Sequence, residues 1–140
     1  MNGYWNKSDQ TCAALQDGWL HTGDIARADS TGPLTIVDRI KDTIITGGFN
    51  VYPREVEDAL AGHPAVAHCA VYGVPDAQWG EAVVAAVVLR SGFHATPAEL
   101  AAHAPDVKGA VWAPKQVRLC AELPHTALGK TDKKALRSSS

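Results

Sequence analysis

Apolar residues are distributed unevenly along this 140-residue chain. Residues 1–32 are rich in Gly, Asp, Ser and Thr and have no sustained period of 2 or 3.6 residues, which predicts loops with short strands. By contrast, the ranges 65–74 and 81–90 are apolar almost throughout, as is typical of central β-strands. The turn-forming segment Pro75–Gly80 between them predicts an antiparallel connection.

The termini of two helices are also marked in the sequence. Pro53 occupies a first helical position, acidic residues follow it, and Gly62 predicts the end of that helix. Thr96 and Glu99 form a capping-box pattern that opens a second helix through about residue 103. A third, shorter helical candidate covers 132–137.

Three shorter apolar runs complete the predicted elements. They favour strands at 34–37, 43–46 and 116–121, and the final serines 138–140 are expected to be frayed. This order predicts an α+β fold, in which helices pack on a small antiparallel or mixed sheet that follows an irregular β-containing segment.

Composition is that of a globular protein with one compact core. Hydrophobic residues make up 46% and charged residues 20%, which excludes collagen-like, low-complexity and broadly disordered classes. The longest strongly apolar run, 82–89, is shorter than the roughly 20 residues of a membrane helix, so no transmembrane segment is expected. The N-terminus lacks signal-peptide features, which makes the cytoplasm the expected compartment. Cys12, Cys69 and Cys120 have no paired spacing and are expected to be buried thiols.

Charge is concentrated towards the C-terminus. The formal net charge is −2, but residues 1–107 carry 13 acidic against 6 basic residues, whereas residues 108–140 carry 2 acidic against 7 basic. A basic tail indicates an anionic partner, namely a phosphate-bearing ligand, a membrane surface or a nucleic acid, and a solvated basic face is the alternative. Nucleic acid is disfavoured because the basic tail carries no recognised nucleic-acid fold signature.

Generic catalytic motifs do not assign an activity. Gly129-Lys130-Thr131 resembles the end of a phosphate-binding P-loop, but Pro124 stands where that motif needs glycine. The six histidines share no metal-ligand spacing, so no metal site is expected, and there is no G-x-S-x-G nucleophile motif.

A series of longer motifs is far more specific. In chain order these are GWLHTGD at 18–24, DRIKD at 38–42, GGFNVYP at 47–53, VPD at 74–76, WGE at 79–81, PK at 114–115 and LPHTALGK at 123–130. From about Gly3 to Arg137 the series resembles the adenylate-forming superfamily, and most closely the acyl-CoA synthetases. The resemblance implies that residues 1–38 are the end of a large N-terminal adenylation domain and that 39–140 form its mobile C-terminal lid domain.

This resemblance implies an ATP-dependent acyl-CoA ligase that works in two steps. A carboxylic acid reacts with ATP to give an acyl-adenylate and pyrophosphate, and the thiol of CoA then displaces AMP. ATP and CoA are thus the implied substrates, with Mg²⁺ bound mainly through the N-terminal domain. Because the phosphate loop and acyl pocket of the family lie upstream of this segment, the 140 residues alone are expected to be inactive.

The resemblance also assigns roles to residues of the adenylation step. Lys130 matches the catalytic lysine, whose compact charge neutralises the carboxylate and the α-phosphate together. Asp24 and Arg39 match the residues that contact the ATP ribose, since a carboxylate can accept two hydrogen bonds from a diol. Asp38 matches the hinge of the lid. Ordinary turns and surface charges are the alternatives for all of them.

Four further residues match the CoA side of the reaction. Gly47 and Gly48 match the loop that lines the pantetheine tunnel, where close backbone approach requires the absence of side chains. Trp79 and Lys115 align with positions near the CoA nucleotide, where an aromatic ring stacks on adenine and a base meets phosphate. Simple packing is the alternative for the indole.

The sequence departs from the family in one place and leaves the acceptor open. Residues 111–113 are Val-Trp-Ala where the family carries Tyr-Lys or Phe-Lys, so Lys108 or Lys115 would have to supply the cation. A fatty-acyl-AMP ligase, a peptide-synthetase adenylation domain and a luciferase share most of these motifs. A standalone, non-catalytic binding module with the lid fold is the alternative of a different class.

Overall fold

The computed structural model describes residues 1–28, 30, 32–104 and 110–139. The chain divides into two compact units, Met1–Lys41 and Asp42–Ser140. The assignment of residues 1–38 to a larger N-terminal domain stays a prediction. Within the described ranges, no helix combines the length and the apolar character that a membrane crossing requires.

The first unit contains one short helix and two small antiparallel pairs of strands. Its elements are α1 (Ser8–Ala14), β1 (Leu15–Gln16), β2 (Trp19–Leu20), β3 (Asp24–Arg27) and β4 (Thr35–Arg39), with β1 paired to β2 and β3 to β4. The expectation of only loops and strands is wrong for α1. That helix buries no residue, so it has no apolar period by which to be recognised. Cys12 in α1 is exposed, and the expectation that it is buried is also wrong.

The second unit is built on a five-stranded mixed sheet. Its strands are β5 (Ile44–Thr46), β6 (Phe49–Val51), β7 (Val66–Asp76), β8 (Gly80–Leu89) and β9 (Gln116–Leu119). β7 pairs antiparallel along all of β8, so β5 and β9 share the other edge of β8. There β5 pairs at Gly80, and β9 runs parallel to Val84–Val87. The predicted α+β fold with a small mixed sheet is confirmed.

In the described part of the second unit, three helices and a short 3-10 turn at Ala110–Trp112 accompany this sheet. The helices are α2 (Pro53–Ala61), α3 (Pro97–His103) and α4 (Lys133–Ser138). The predicted capping box is confirmed, since Thr96 Oγ1 accepts from Glu99 N at 3.2 Å and Glu99 Oε2 accepts from Thr96 N at 2.7 Å. Helix α4 ends at Ser138, whose hydroxyl donates to Lys134 O at 2.9 Å, so the prediction that this residue is frayed is wrong. Ser140 lies outside the described residues.

The core covers both faces of the sheet because side chains alternate along β8. Val83, Ala85 and Val87 face α2 and α3, whereas Val84 and Ala86 face α4. Each fully buried valine contributes roughly 1.5–3 kcal/mol relative to an exposed one. Burial on both faces explains why β7 and β8 have near-continuous apolar sequences.

Candidate functional site

Lys130 lies in a tight, exposed turn that we call the lysine loop, residues 124–132. Thr126 N donates to Lys130 O at 2.7 Å, and Gly129 N donates to Thr126 O at 2.9 Å. His125 and Thr131 form an isolated antiparallel bridge at the two sides of the turn. The backbone of the loop is therefore fixed while the Lys130 side chain faces solvent.

Both sides of the lysine loop are attached to the core. Leu123 before it and Leu136 after it are buried in the cluster on the α4 face. Asp132 N donates to Pro124 O at 2.7 Å, which closes the base of the loop. The Asp132 carboxylate caps α4 by accepting from the amides of Lys134 and Ala135, each at 3.0 Å.

Gly47 and Gly48 form the turn between β5 and β6. Their φ angles are +55° and +82°, in the left-handed region that favours glycine. Gly47 N donates to Trp79 O at 2.9 Å. A Cβ at Gly47 would lie 3.0 Å from the indole carbon Cε3 of Trp79, so backbone conformation and close approach both require glycine there.

Beside this turn lies a cavity that we call the indole pocket. Lys115 Nζ lies 4.9 Å from the centroid of the Trp79 ring, within the range of a cation–π interaction. The cavity has a volume of about 230 Å³ and is lined by Thr46, Gly47, Phe49, Trp79, Val111 and Lys115 among others. The structure thus brings together three residues that the sequence analysis assigned to CoA, with Gly48 in the adjoining turn.

Two acidic residues that the sequence analysis left without a role hold this end of the sheet. Asp76 Oδ1 accepts from Gln78 N and Trp79 N, each at 2.9 Å, and thereby fixes the turn that carries the indole. Glu81 Oε2 accepts from Ile45 N at 2.8 Å. An aspartate that opens a turn is a local signal for such a bond. The Glu81 bond spans 36 positions and has no local signal.

Residues 111–113, where the sequence differs from the family pattern, lie at the wall of the indole pocket. Val111 lines the cavity, and the Trp112 ring lies 6.1 Å from that of Tyr52 between centroids. Of the two candidate replacement cations, Lys115 lines the pocket, whereas Lys108 lies outside the described residues.

Asp24 and Arg39 meet in the first unit. They are directly opposite in the β3–β4 pair, and Arg39 Nε lies 3.1 Å from Asp24 Oδ1. The neighbouring Asp38 accepts from Arg39 N at 2.7 Å and lies opposite Ile25, where the register shifts. The predicted ribose pair and the predicted hinge are therefore adjacent.

Within the second unit, the lysine loop and the indole pocket lie at opposite ends of β8. Gly80 pairs with Thr46 of the pocket, whereas Val88 lines a cavity together with His125 and Thr131 of the loop. At roughly 3.3 Å per residue, these two positions on β8 are about 26 Å apart. The structure therefore does not bring Lys130 together with Gly47.

Comparison with known proteins identifies the class. Residues 55–130 match the model of the AMP-binding enzyme C-terminal domain, which covers more than half of the chain. The chain belongs to this family, and the resemblance to the C-terminal domain of an adenylate-forming acyl-CoA synthetase is confirmed.

Individual relatives are considerably longer than this chain. It is 57% identical to a medium/long-chain-fatty-acid–CoA ligase of Mycobacterium tuberculosis, over 97% of the chain and 25% of that relative. It is 50% identical to a long-chain-fatty-acid–CoA ligase of Bacillus subtilis, over 93% of the chain and 23% of that relative. The solved amide bond synthetase McbA of Marinactinospora thermotolerans is 42% identical with a TM-score of 0.92, over 99% of this chain and 29% of that one. The chain thus spans about a quarter of the length of these relatives.

Proposed function

We propose that this chain is the C-terminal part of an ATP-dependent acyl-CoA ligase, with residues 39–140 as the lid of a larger N-terminal adenylation domain. The observation that carries the proposal is the placement of two chemically different sites at opposite ends of β8. An exposed lysine suits the first half-reaction, and a glycine turn beside an aromatic ring and a cation suits the second. The names of the ligase relatives support the same assignment.

In the adenylation step, Lys130 bridges the carboxylate of the substrate and the α-phosphate of ATP. Its side chain is exposed on a loop with a hydrogen-bonded backbone, so the ammonium can enter a neighbouring active site without unfolding the loop. There it stabilises the negative charge that develops as the acyl-phosphate bond forms. Asp24 and Arg39 contact the ribose hydroxyls.

In the thioester step, the indole pocket guides CoA. The Gly47 turn leaves room for the pantetheine arm, Trp79 offers a flat surface to adenine, and Lys115 meets phosphate. With about 26 Å between the two ends of β8, one orientation of the lid cannot serve both half-reactions. A rotation of the lid at Asp38 would bring first one end of β8 and then the other to the active site.

Metal binding belongs elsewhere in the proposed enzyme. Among the described residues, no group of three or more His, Cys, Asp or Glu side chains could hold a metal ion. We assign the Mg²⁺ that accompanies ATP mainly to the N-terminal domain.

An amine is the second candidate for the acceptor of the acyl group. The similar solved structure of an amide bond synthetase carries a lid of this fold. The indole pocket favours CoA, because a small amine needs neither a stacking surface nor a cation for phosphate. A non-catalytic module gives no physical reason for an exposed lysine at position 130 on an ordered loop.

The test uses a protein that joins this chain to a complete N-terminal adenylation domain. In Lys130→Ala, acid-dependent pyrophosphate release should fall by about 100-fold or more, in line with the loss of a charge-stabilising group. Thioester formation from preformed acyl-adenylate and CoA should persist. Lys134→Ala, which removes an exposed lysine four positions away, is the control and should leave both half-reactions unchanged. Equal loss of both half-reactions in Lys130→Ala would contradict the proposal.

A further inference from the structure

The outer edge of β7 is closed by a side chain from α2. Among the described strands, β7 lies at an end of the sheet, so its outward amides have no neighbouring strand there to accept them. Glu57 supplies the acceptor, since its Oε1 lies 2.8 Å from Val71 N. The Cys69 thiol also donates to Glu57 O at 3.4 Å. Both of these bonds between helix α2 and the strand edge use Glu57.

The same carboxylate oxygen reaches the far side of the lysine loop. Glu57 Oε1 lies 2.8 Å from Lys133 Nζ, and the two side chains are only 23% and 24% exposed. A half-buried pair is screened by salt and solvent less than a surface pair. One oxygen thus joins the edge of β7, helix α2 and the first residue of α4.

This connection adds to buried Leu136 and to the hydrogen bonds of Asp132 in holding the segment after Lys130, and it ties that segment to both α2 and β7. Helix α4 has only six residues and buries one of them, Leu136. Helices this short are marginal without tertiary contacts. Lys133 follows Asp132, whose amide closes the base of the lysine loop. Release of Lys133 would therefore loosen the side of the loop that follows Lys130.

We propose that Glu57, acting through Lys133, is a positioning residue that fixes the lysine loop and so orients Lys130 for adenylation. The inference rests on the proposed function for its catalytic consequence, but its structural part can be tested without any activity. Neither residue touches substrate in this scheme. The Glu57–Lys133 pair selects one position of the loop, and Lys130 does the chemistry.

The structural part is tested by amide hydrogen exchange on the 140-residue chain. Lys133→Met removes the charge while keeping most of the side-chain stem, and it should speed exchange at Thr126, Gly129, Lys130 and Asp132 by about tenfold. Lys133→Arg should restore slow exchange. Lys134→Met makes the same charge change at the exposed neighbouring position and should change nothing. The exchange rate of the β8 amides reports on global stability and serves as a second control. If the loop amides of Lys133→Met exchange at the wild-type rate, the inference is overturned.

The catalytic part is tested in the protein that carries a complete N-terminal domain. Lys133→Met should lower kcat of adenylation by about tenfold, as expected for a slightly misplaced group, with thioester formation from preformed adenylate unchanged. Lys133→Arg should recover the rate. Glu57→Gln keeps an acceptor for Val71 N but loses the charge, so it should shift the same half-reaction in the same direction. A parallel fall of both half-reactions would indicate general destabilisation and would refute a positioning role.

The two proposals fail in different ways. If Lys130→Ala does not lower adenylation, the proposed function is wrong whatever the Lys133 variants do. If Lys130→Ala lowers adenylation but Lys133→Met and Glu57→Gln do not, the positioning role is wrong and the proposed function stands.

Discussion

The two ends of β8 are built in different ways. At the Gly80 end, backbone and aromatic groups touch directly, since Gly47 donates to the carbonyl of Trp79 and leaves no space for a Cβ beside the indole. At the Val88 end, the lysine loop extends into solvent, and it is held by the buried Leu123 and Leu136 and by the ion pair of Lys133 with Glu57. The Gly80 end presents a cavity with an indole and a cation in its wall, and the Val88 end presents an exposed charge on a supported loop.

This difference matches two kinds of chemical work. A cavity with a fixed wall selects a shape, which suits a long ligand such as the pantetheine arm of CoA. An exposed lysine has no pocket of its own and acts only where another surface supplies the reactants. Under the proposed function, the lysine end therefore depends on a partner surface for its chemistry, whereas the indole end offers CoA a cavity built from this chain alone.

The reactivity of Cys69 gives the largest expected effect and tests whether the Val88 end is closed. Burial raises the pKa of the Cys69 thiol from 9.0 to about 12, with the charges of Glu57 and Asp58 adding to the rise. Since thiolate is the reactive form, alkylation near pH 8 should be about a thousandfold slower than in the unfolded chain. Mass spectrometry of peptides after timed alkylation measures the rate.

The exposed Cys12 is the internal control and should react quickly in the folded chain. The raised pKa of the Cys69 thiol also predicts that the stability of the fold depends on pH. Between about pH 9 and pH 12 the unfolded chain loses this proton first, so the free energy of unfolding should fall as the pH rises through that window. Alkylation of Cys69 at close to its unfolded rate would show that the edge beside Glu57 is open.

Local signals explain which elements the sequence could predict. Helices α2 and α3 begin at prolines, Gly62 follows α2 and a capping box opens α3, and β7 and β8 have long apolar runs, so each is encoded within about ten residues of chain. Helix α1 buries nothing and gives no such signal. The parallel pairing of β9 with β8 depends on contacts between distant segments, which neither run specifies alone.

The candidate sites also differ in whether they are encoded by local sequence or by contacts between distant segments. The glycine turn and the lysine loop are contiguous motifs and could be recognised directly. The contact of Trp79 with Gly47 arises only because β5 pairs with the start of β8. The pair of Glu57 and Lys133 is equally non-local, since 76 positions separate the two residues. Spacing along the chain has no information about such contacts until the fold is known.

A single methyl group at the glycine turn should separate the two ends functionally. In Gly47→Ala the new Cβ meets the indole at 3.0 Å and the φ of +55° is strained for alanine, so Trp79 must move. In the protein with a complete N-terminal domain, thioester formation should fall by about 30-fold, with adenylation changed by less than about twofold. Half-reaction kinetics with isolated acyl-adenylate measure both values.

Gly92→Ala is the matched control for that substitution. Its φ is +79° and a Cβ there meets nothing within 4 Å, so it carries a comparable backbone cost of about 1–2 kcal/mol without the contact. Both variants should lower the free energy of unfolding, but only Gly47→Ala should impair thioester formation. Equal kinetic losses in the two would assign the effect to strain and would remove the argument for the indole pocket.

Removal of the Lys115 cation above the Trp79 indole should have the smallest kinetic effect of these substitutions. It tests most specifically whether the two ends of β8 serve different half-reactions. Lys115 Nζ lies 4.9 Å from the Trp79 centroid, and a partly exposed contact of this kind contributes about 0.5–1 kcal/mol. Lys115→Met should therefore raise the KM for CoA by about fivefold and leave the KM for ATP unchanged. The rise has two causes, namely the loss of the cation–π contact and the loss of a positive charge near the phosphate. Lys115→Arg should retain most of the affinity, and Lys134→Met should leave it unchanged. A rise in the KM for ATP instead would mean that Lys115 serves the adenylation step, and the division of labour between the two ends of β8 would have to be abandoned.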